Sequence, residues 1–108
     1  MKEFDVADLK VGIIMRLTSA EASVIKGLIS KADPDGKVYL FGSRVDDNRK
    51  GGDIDIFLEA SKKIDFKEQL LLQHRLIAGC DTKVDLVIQN PNDHEEIIHT
   101  IAKMGVRL

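Results

Sequence analysis

The chain has 108 residues, 44% of them hydrophobic and 31% charged, which suits one globular domain spanning residues 1–108 and argues against disorder. Its 16 basic and 18 acidic residues give a net charge of −2, so the protein has no general attraction to nucleic acid or to an anionic membrane. Cys80 is the single cysteine, which excludes an intrachain disulfide. The amino terminus has acidic residues where a signal peptide needs basic ones, and no apolar stretch approaches about 20 residues, so we expect a cytoplasmic protein.

The amino-terminal part of the chain is predicted to contain an extended segment and a helix. Residues 11–17 are apolar and partly β-branched, which favours an extended segment or an edge strand. Thr18 and Glu21 have the spacing of a capping box, and the apolar residues after them recur at helical spacing through about Lys31. The sequence Asp-Pro-Asp-Gly at residues 33–36 then ends the helix in a turn.

Two strands with a polar connection between them are predicted next. Residues 37–41 form a short apolar run that indicates a buried strand. Residues 44–52 are polar, begin with a stretch that can form one helical turn, and end at a Gly-Gly pair that breaks it. Residues 54–58 are the second predicted strand, and residues 60–64 are a loop.

A second helix is predicted to begin at Asp65, because Asp65 and Glu68 repeat the capping-box pattern. We expect it to end near Gly79, with this glycine in the left-handed conformation. Its apolar positions are Leu70, Leu71, Leu72, Leu76 and Ile77. These residues cover more than one stripe of the helix, which is explained equally by a partner on one side or by a groove of the same domain.

The carboxyl-terminal part is predicted to contain a third strand at residues 83–88, a turn at residues 90–93 and a last helix capped by residues 93–96. This helix is expected to end at Gly105. Its inward-facing residues are predicted to be Ile97, Ile98 and Ile101. Strands and helices in alternation predict an α/β architecture, with helices packed on the sheet.

The chemistry of the chain is concentrated between the first two strands. Gly42 and Ser43 follow the first strand and can offer free backbone N–H groups and a hydroxyl to a phosphate. Asp53 and Asp55 are two residues apart in a strand-like run, so both project from the same face. Paired carboxylates beside a phosphate-binding turn are what Mg²⁺-dependent phosphoryl or nucleotidyl transfer requires.

Asp85 is the candidate for a third acid. It lies in an otherwise apolar strand, where a lone carboxylate is costly to bury unless it is paired or bound to a cation. Each of these acids alone is most simply a solvated residue at the edge of a sheet, whereas the three together behind a Gly-Ser turn favour a metal site. His94 and His99 are five residues apart, on different faces of a helix, so they do not form a metal pair and we assign them no role.

These residues carry a resemblance to a known superfamily. The run Phe-Gly-Ser-Arg at residues 41–44, the Asp-Ile-Asp at residues 53–55 and the Lys-Val-Asp-Leu at residues 83–86 together resemble the DNA polymerase β-like nucleotidyltransferases. The short length resembles their minimal nucleotidyltransferases. The similarity extends from about Thr18 to Gly105 and implies a mixed β-sheet with the three acids on adjacent strands.

The resemblance also implies roles for individual residues. Gly42 and Ser43 would hold the β- and γ-phosphates of ATP, and Arg44, which follows them directly, would steer the triphosphate. The metal ligands would be Asp53, Asp55 and Asp85. Two Mg²⁺ ions would be bound, one on the triphosphate and one that activates the acceptor hydroxyl, which attacks the α-phosphorus and expels pyrophosphate.

The sequence ends 23 residues after Asp85, so we expect no second domain and an acceptor surface supplied by another protein or by a homodimer. In the minimal family that partner is commonly a helical HEPN-type toxin, and the nucleotidyltransferase is an antitoxin that adenylylates a toxin tyrosine. Two alternatives stay open. The protein is a binding module that neutralises a helical partner without catalysis, or it is a transferase for a small molecule such as an antibiotic.

Overall fold

The computed structural model describes residues 17–42 and 54–108, which form three helices and four strands. The helices are α1 (Ser19–Ala32), α2 (Phe66–Cys80) and α3 (Ile97–Lys103). The strands are β1 (Lys37–Phe41), β2 (Ile54–Glu59), β3 (Val84–Gln89) and β4 (Val106–Arg107). No helix in these two ranges is long and apolar enough to cross a membrane. The predictions for residues 11–16 and 44–52 lie outside the described residues.

The four strands form one mixed sheet in the order β3-β2-β1-β4. β1 is antiparallel to both of its neighbours, whereas β2 and β3 are parallel. The predicted α/β (α+β) class, a mixed sheet with helices packed on it, is thereby confirmed. β4 was not predicted, because two residues are too few to show the alternation of a strand.

The helices lie on both faces of this sheet. β4 is antiparallel to β1 and therefore parallel to β2 and β3, so α2 and α3 are both crossover connections between parallel strands. Such crossovers are nearly always right-handed. α2 leads outward from β2 to β3, whereas α3 leads back across the sheet to β4, so the shared handedness places the two helices on opposite faces. α1 packs beside α2, and α3 packs against β1 and β2.

The larger core lies between the sheet and the pair α1 and α2. Its fully buried side chains come from alternate strand positions and from one stripe of each helix, as the pattern of apolar residues predicts. They are Ile25, Ile29, Leu40, Ile54, Ile56, Leu58, Leu76 and Val84. The opposite face buries Phe57, and α3 covers it with His99 and Ala102, which are both buried. Successive strand residues thus point alternately to the larger core, under α1 and α2, and to the opposite face of the sheet, under α3.

Both predicted capping boxes are present. Glu21 N donates to Thr18 Oγ1 at 3.0 Å, and Thr18 N donates to Glu21 Oε1 at 3.0 Å. At the start of α2, Glu68 N donates to Asp65 Oδ1 at 2.8 Å, and Asp65 N donates to Glu68 Oε1 at 3.2 Å. The starts of α1 and α2 therefore depend on local sequence alone, since each cap involves residues only three positions apart.

The helix α2 ends near Gly79 as predicted, but the left-handed conformation predicted for this glycine is wrong. The helix continues to Cys80, and the left-handed residue is Asp81, with φ 55°. Gly79 has a different function, because a Cβ on it would lie 2.6 Å from Val24 Cγ1 of α1. The glycine therefore allows α1 and α2 to approach closely, which the local sequence does not reveal.

The predicted orientation of α3 is also wrong. Ile97 and Ile101 are 79% and 51% exposed, whereas His99 is buried and its ring lies 5.6 Å from that of Phe57. The helix begins later than expected, since its N-cap is Glu96, whose backbone N–H donates to His99 Nδ1 at 3.0 Å. This bond and the ring contact turn the histidine toward the sheet and the isoleucines toward solvent.

The predicted turn at residues 90–93 is present, and Asn90 connects it to the loop before α2. Asn90 Oδ1 accepts a bond from Ile64 N at 2.8 Å, and Asn90 Nδ2 donates to Ile64 O at 3.0 Å. Asp93 closes the turn instead of capping α3, because its Oδ2 accepts from Asn90 N at 2.9 Å. The ends of β2 and β3 are thus tied together by one side chain.

Asn90→Ala is expected to lower the free energy of unfolding by about 2–4 kcal/mol, because both backbone groups of buried Ile64 lose their partner. Asn90→Asp, which keeps the acceptor but loses the donor, should show an intermediate loss. Urea unfolding followed by circular dichroism measures all three proteins. An alanine variant as stable as the wild type would contradict the role of this side chain.

Candidate active site

Two of the predicted acids form a row across neighbouring strands. Asp55 of β2 lies directly opposite Asp85 of β3 in the parallel register, and Phe41 of β1 lies opposite Asp55 on the other side. Residues directly opposite one another project from the same face, and neighbouring strands are about 4.8 Å apart. Both carboxylates are partly exposed. The fold therefore places them side by side at the start of β2 and β3.

Gly42 lies against this row. It follows Phe41 with φ +80°, a conformation that residues with a Cβ rarely adopt. A Cβ on Gly42 would overlap Asp55 Oδ2 and lie 3.0 Å from Asp55 Cγ. The glycine is thus required by both its conformation and its contact, and the backbone after β1 runs directly beside the carboxylate of Asp55.

Three further predicted residues lie outside the described part of the chain. They are Ser43, Arg44 and Asp53. Their roles as phosphate-binding residues and as a metal ligand therefore stay predictions. Within residues 17–42 and 54–108 no three His, Cys, Asp or Glu side chains are grouped to hold a metal ion. The two carboxylates described here are two members of the predicted set of three.

The donor set fits a hard divalent cation. Carboxylate oxygens are the ligands that Mg²⁺ takes in proteins, and adjacent strands bring Asp55 and Asp85 together. The side chain of Asp85 forms no hydrogen bond or ion pair with the other described residues. A partly buried carboxylate in that situation is stabilised by a bound cation. We therefore regard these two residues as suited to a Mg²⁺ site.

The neighbouring row of side chains packs against α3. The ring of Phe57 lies 5.8 Å from that of Tyr39 and 5.6 Å from that of His99. The guanidinium of Arg107 lies 5.9 Å from the centre of the Tyr39 ring. Sequence reasoning assigned His99 no role, and only its place in a short apolar helix hinted at burial. Its role here is structural, since it anchors α3 beside the acid row.

An ion-pair network holds the other side of α3. Glu95 accepts hydrogen bonds from Lys103 Nζ at 2.9 Å, Thr100 Oγ1 at 3.0 Å and Gln89 Nε2 at 3.1 Å. These bonds, that from Lys103 foremost, lower the pKa of Glu95 from 4.5 to about 2. Lys103 Nζ also lies 3.4 Å from Glu59 Oε2, and its bond to Glu95 raises the pKa of Lys103. The network thus ties α3 to the ends of β2 and β3.

The Glu95 network is expected to weaken in acid. Because the pKa of Glu95 is lowered by folding, its stabilising contribution is complete above pH about 4.5 and is lost as the pH falls toward about 2. As the pH is lowered over this interval, the free energy of unfolding should therefore fall less steeply in Glu95→Gln than in the wild type. Urea unfolding at several pH values measures both slopes, and equal slopes would contradict the assignment.

Comparison with known families decides what this arrangement belongs to. Residues 23–108 match the family described as polymerase beta, nucleotidyltransferase. The chain belongs to this family. The match includes Gly42, Asp55 and Asp85, and it confirms the superfamily that the motifs predicted. A comparison with curated proteins finds no match.

Membership makes the chain a nucleotidyltransferase. Proteins with the polymerase beta nucleotidyltransferase domain generally use a nucleoside triphosphate and a divalent metal, which agrees with the carboxylate pair at Asp55 and Asp85. The family match leaves the nucleotide, the acceptor and the number of metal ions undetermined.

Proposed function

We propose that the protein transfers AMP from ATP, with Mg²⁺, to a tyrosine hydroxyl of a HEPN-type partner protein, and that it acts as the antitoxin of that partner. The observation that carries the transfer chemistry is the pairing of Asp55 and Asp85 on adjacent parallel strands, with Gly42 against Asp55. The HEPN-type partner and the antitoxin role rest on the resemblance to minimal nucleotidyltransferases.

In this proposal the metal is held by Asp53, Asp55 and Asp85. When bound, Mg²⁺ would neutralise the triphosphate and make the acceptor hydroxyl easier to deprotonate. Asp85 would in addition orient that hydroxyl and help to remove its proton, because its carboxylate lies beside Asp55 and makes no hydrogen bond or ion pair with the other described residues. The hydroxyl oxygen forms a bond to the α-phosphorus, and pyrophosphate leaves.

The phosphates would be held by the turn after β1. Gly42 can accept the approach of a phosphate because it has no side chain, and Ser43 would add a hydroxyl and a backbone N–H. Arg44 would steer the triphosphate by charge. Such chemistry consists mainly of positioning and charge neutralisation, so a small domain suffices for it.

A protein acceptor is supported by the surface of the described residues. Large apolar side chains are exposed on and just after α3, among them Ile97 at 79%, Ile101 at 51% and Met104 at 77%. Grouped exposed apolar residues usually mark a surface that another protein covers. This observation favours a polypeptide acceptor over a small polar molecule.

The proposal is tested with the purified chain, ATP, Mg²⁺ and the protein encoded beside it. Mass spectrometry of intact partner and of its peptides should show an added AMP on a tyrosine. The same mixture with EDTA, and one without ATP, should leave the partner unmodified. Toxicity of the partner in cells should fall when the modified form accumulates.

Two other results would each replace the proposal with an alternative. If the chain binds and silences the partner without adding AMP, it is a non-catalytic binding module. If AMP appears only on an added small molecule with a hydroxyl, such as an aminoglycoside, the acceptor is not a protein.

A further inference from the structure

The outer surface of α3 carries a continuous apolar strip, here called the α3 strip. It consists of Ile97, Ile98, Ile101 and Met104, which are 79%, 39%, 51% and 77% exposed. Three of these residues lie in the seven-residue helix, and Met104 is its C-cap. An apolar patch this dense on a short helix indicates an interaction surface.

The orientation of α3 is held by several contacts on its inner side. His99 packs its ring on Phe57, and Lys103 reaches both Glu59 and Glu95. Rotation of α3 to bury the isoleucines would break all of these contacts. The exposure of the strip is therefore a fixed property of the fold.

Part of the strip lies on the flank of α3 that faces away from Glu59. Lys103 points along the sheet to Glu59, the last residue of β2, whereas Asp55 lies near the first residue of that strand. Ile98 precedes Lys103 by five positions, or about 140° around a helix with about 100° per residue. It therefore lies on the opposite flank of α3, toward the end of the sheet that holds Asp55 and Asp85.

Among the residues that the structure describes, the charges near the strip are mostly negative. Asp93 and Glu96 are exposed just before Ile97, and neither is in an ion pair with the other described residues. Lys103 is the nearest cation on α3, and it is already paired with Glu59 and Glu95. A segment that matches this surface therefore combines apolar residues with basic ones at one end.

The small number of residues in the strip favours a transient contact over a stable one. A stable interface buries about 20–30 residues on each side, and a four-residue strip provides far fewer. A second copy of the chain would need a much larger apolar surface to form a lasting dimer through α3. An acceptor that must bind, react and leave needs only a small surface beside the reacting groups.

We infer that the α3 strip docks an amphipathic helix of the acceptor protein, with an apolar face and basic residues at one end, and thereby presents the acceptor hydroxyl to Asp55 and Asp85. Two exposed helix ridges of this kind pack side by side over about two turns. This inference rests on the proposed function and adds the surface and the charge by which the acceptor is recognised.

The test uses two fluorescein-labelled amphipathic peptides with leucine on one face and a single tyrosine, one with lysine and one with glutamate at the polar positions. Fluorescence anisotropy with the full chain should show at least about 10-fold tighter binding of the lysine peptide. Ile101→Asp should weaken that binding at least about 10-fold, because a charge replaces an apolar contact. Since Ile101 is 51% exposed, the thermal midpoint should stay unchanged.

Leu70→Asp is the matched control, because Leu70 is 52% exposed but lies on α2, which packs on the opposite face. It should change peptide binding less than about 2-fold. Equal affinities of the wild type and Ile101→Asp, or an equal loss in Leu70→Asp, would overturn the docking surface.

A second readout separates this inference from the proposed function. AMP transfer to the tyrosine of the lysine peptide should have a higher KM in Ile101→Asp, with unchanged transfer to tyrosine amide. If wild type and Ile101→Asp transfer AMP equally well to both acceptors, the docking surface is overturned and the proposed function is kept. Binding that depends on Ile101 without any AMP transfer would overturn the proposed function and keep the docking surface.

Discussion

Asp55→Asn is expected to reduce AMP transfer at least about 100-fold while the fold is retained, because the amide cannot supply the charge that holds a divalent cation. Asp55 is partly exposed and lies in the row with Asp85, so the substitution changes charge and leaves size nearly constant. The rate is measured as AMP incorporated per chain under saturating ATP and Mg²⁺. Asp53→Asn is expected to have an equal effect, and Asp85→Asn is also expected to reduce the rate of AMP transfer.

Glu59→Gln is the control for this experiment. Glu59 lies in the same strand and on the same face as Asp55, but at the far end, where it pairs with Lys103. Its substitution should leave the transfer rate within about 2-fold of the wild type. Full activity in Asp55→Asn would show that this residue is not a metal ligand, and a lost circular dichroism spectrum would show a structural role instead.

Gly42→Ala is expected to impair both stability and transfer. The left-handed conformation at φ +80° costs a residue with a Cβ about 1–2 kcal/mol, and the added methyl would overlap Asp55 Oδ2. The free energy of unfolding should fall by about 1–3 kcal/mol. The transfer rate should fall at least about 10-fold, because the carboxylate must move away from its place beside Asp85.

Gly27→Ala is the matched glycine control. Gly27 lies within α1, and a Cβ there has nothing within 4 Å. The substitution should raise the free energy of unfolding by about 0.5–1 kcal/mol and leave transfer unchanged. Urea unfolding and the AMP assay measure both variants. If Gly42→Ala matches the wild type in both assays, the close contact between Gly42 and Asp55 has no functional weight.

The places of Gly42, Asp55 and Asp85 in the fold were predictable because their signals are local. Alternation of apolar and polar residues placed Asp55 and Asp85 on the polar faces of their strands, and the pairing of β2 with β3 brings them into one row. The turn after β1 was marked by Gly42, the residue type that a positive φ requires. What the sequence did not reveal is the direct contact between Gly42 and Asp55, which depends on the antiparallel pairing of two strands.

The sequence by itself determined the starts of α1 and α2, the three longer strands, and the acids on their polar faces, because capping boxes and strand alternation involve residues a few positions apart. Only the tertiary structure decided the orientation of α3 and the function of Gly79. The apolar residues of α3 lie on one side of the helix, so their periodicity favours burial of the isoleucines, the opposite of what the structure shows. Contacts with Phe57 and Glu59, far away in the sequence, settle which side is buried and leave the isoleucines exposed.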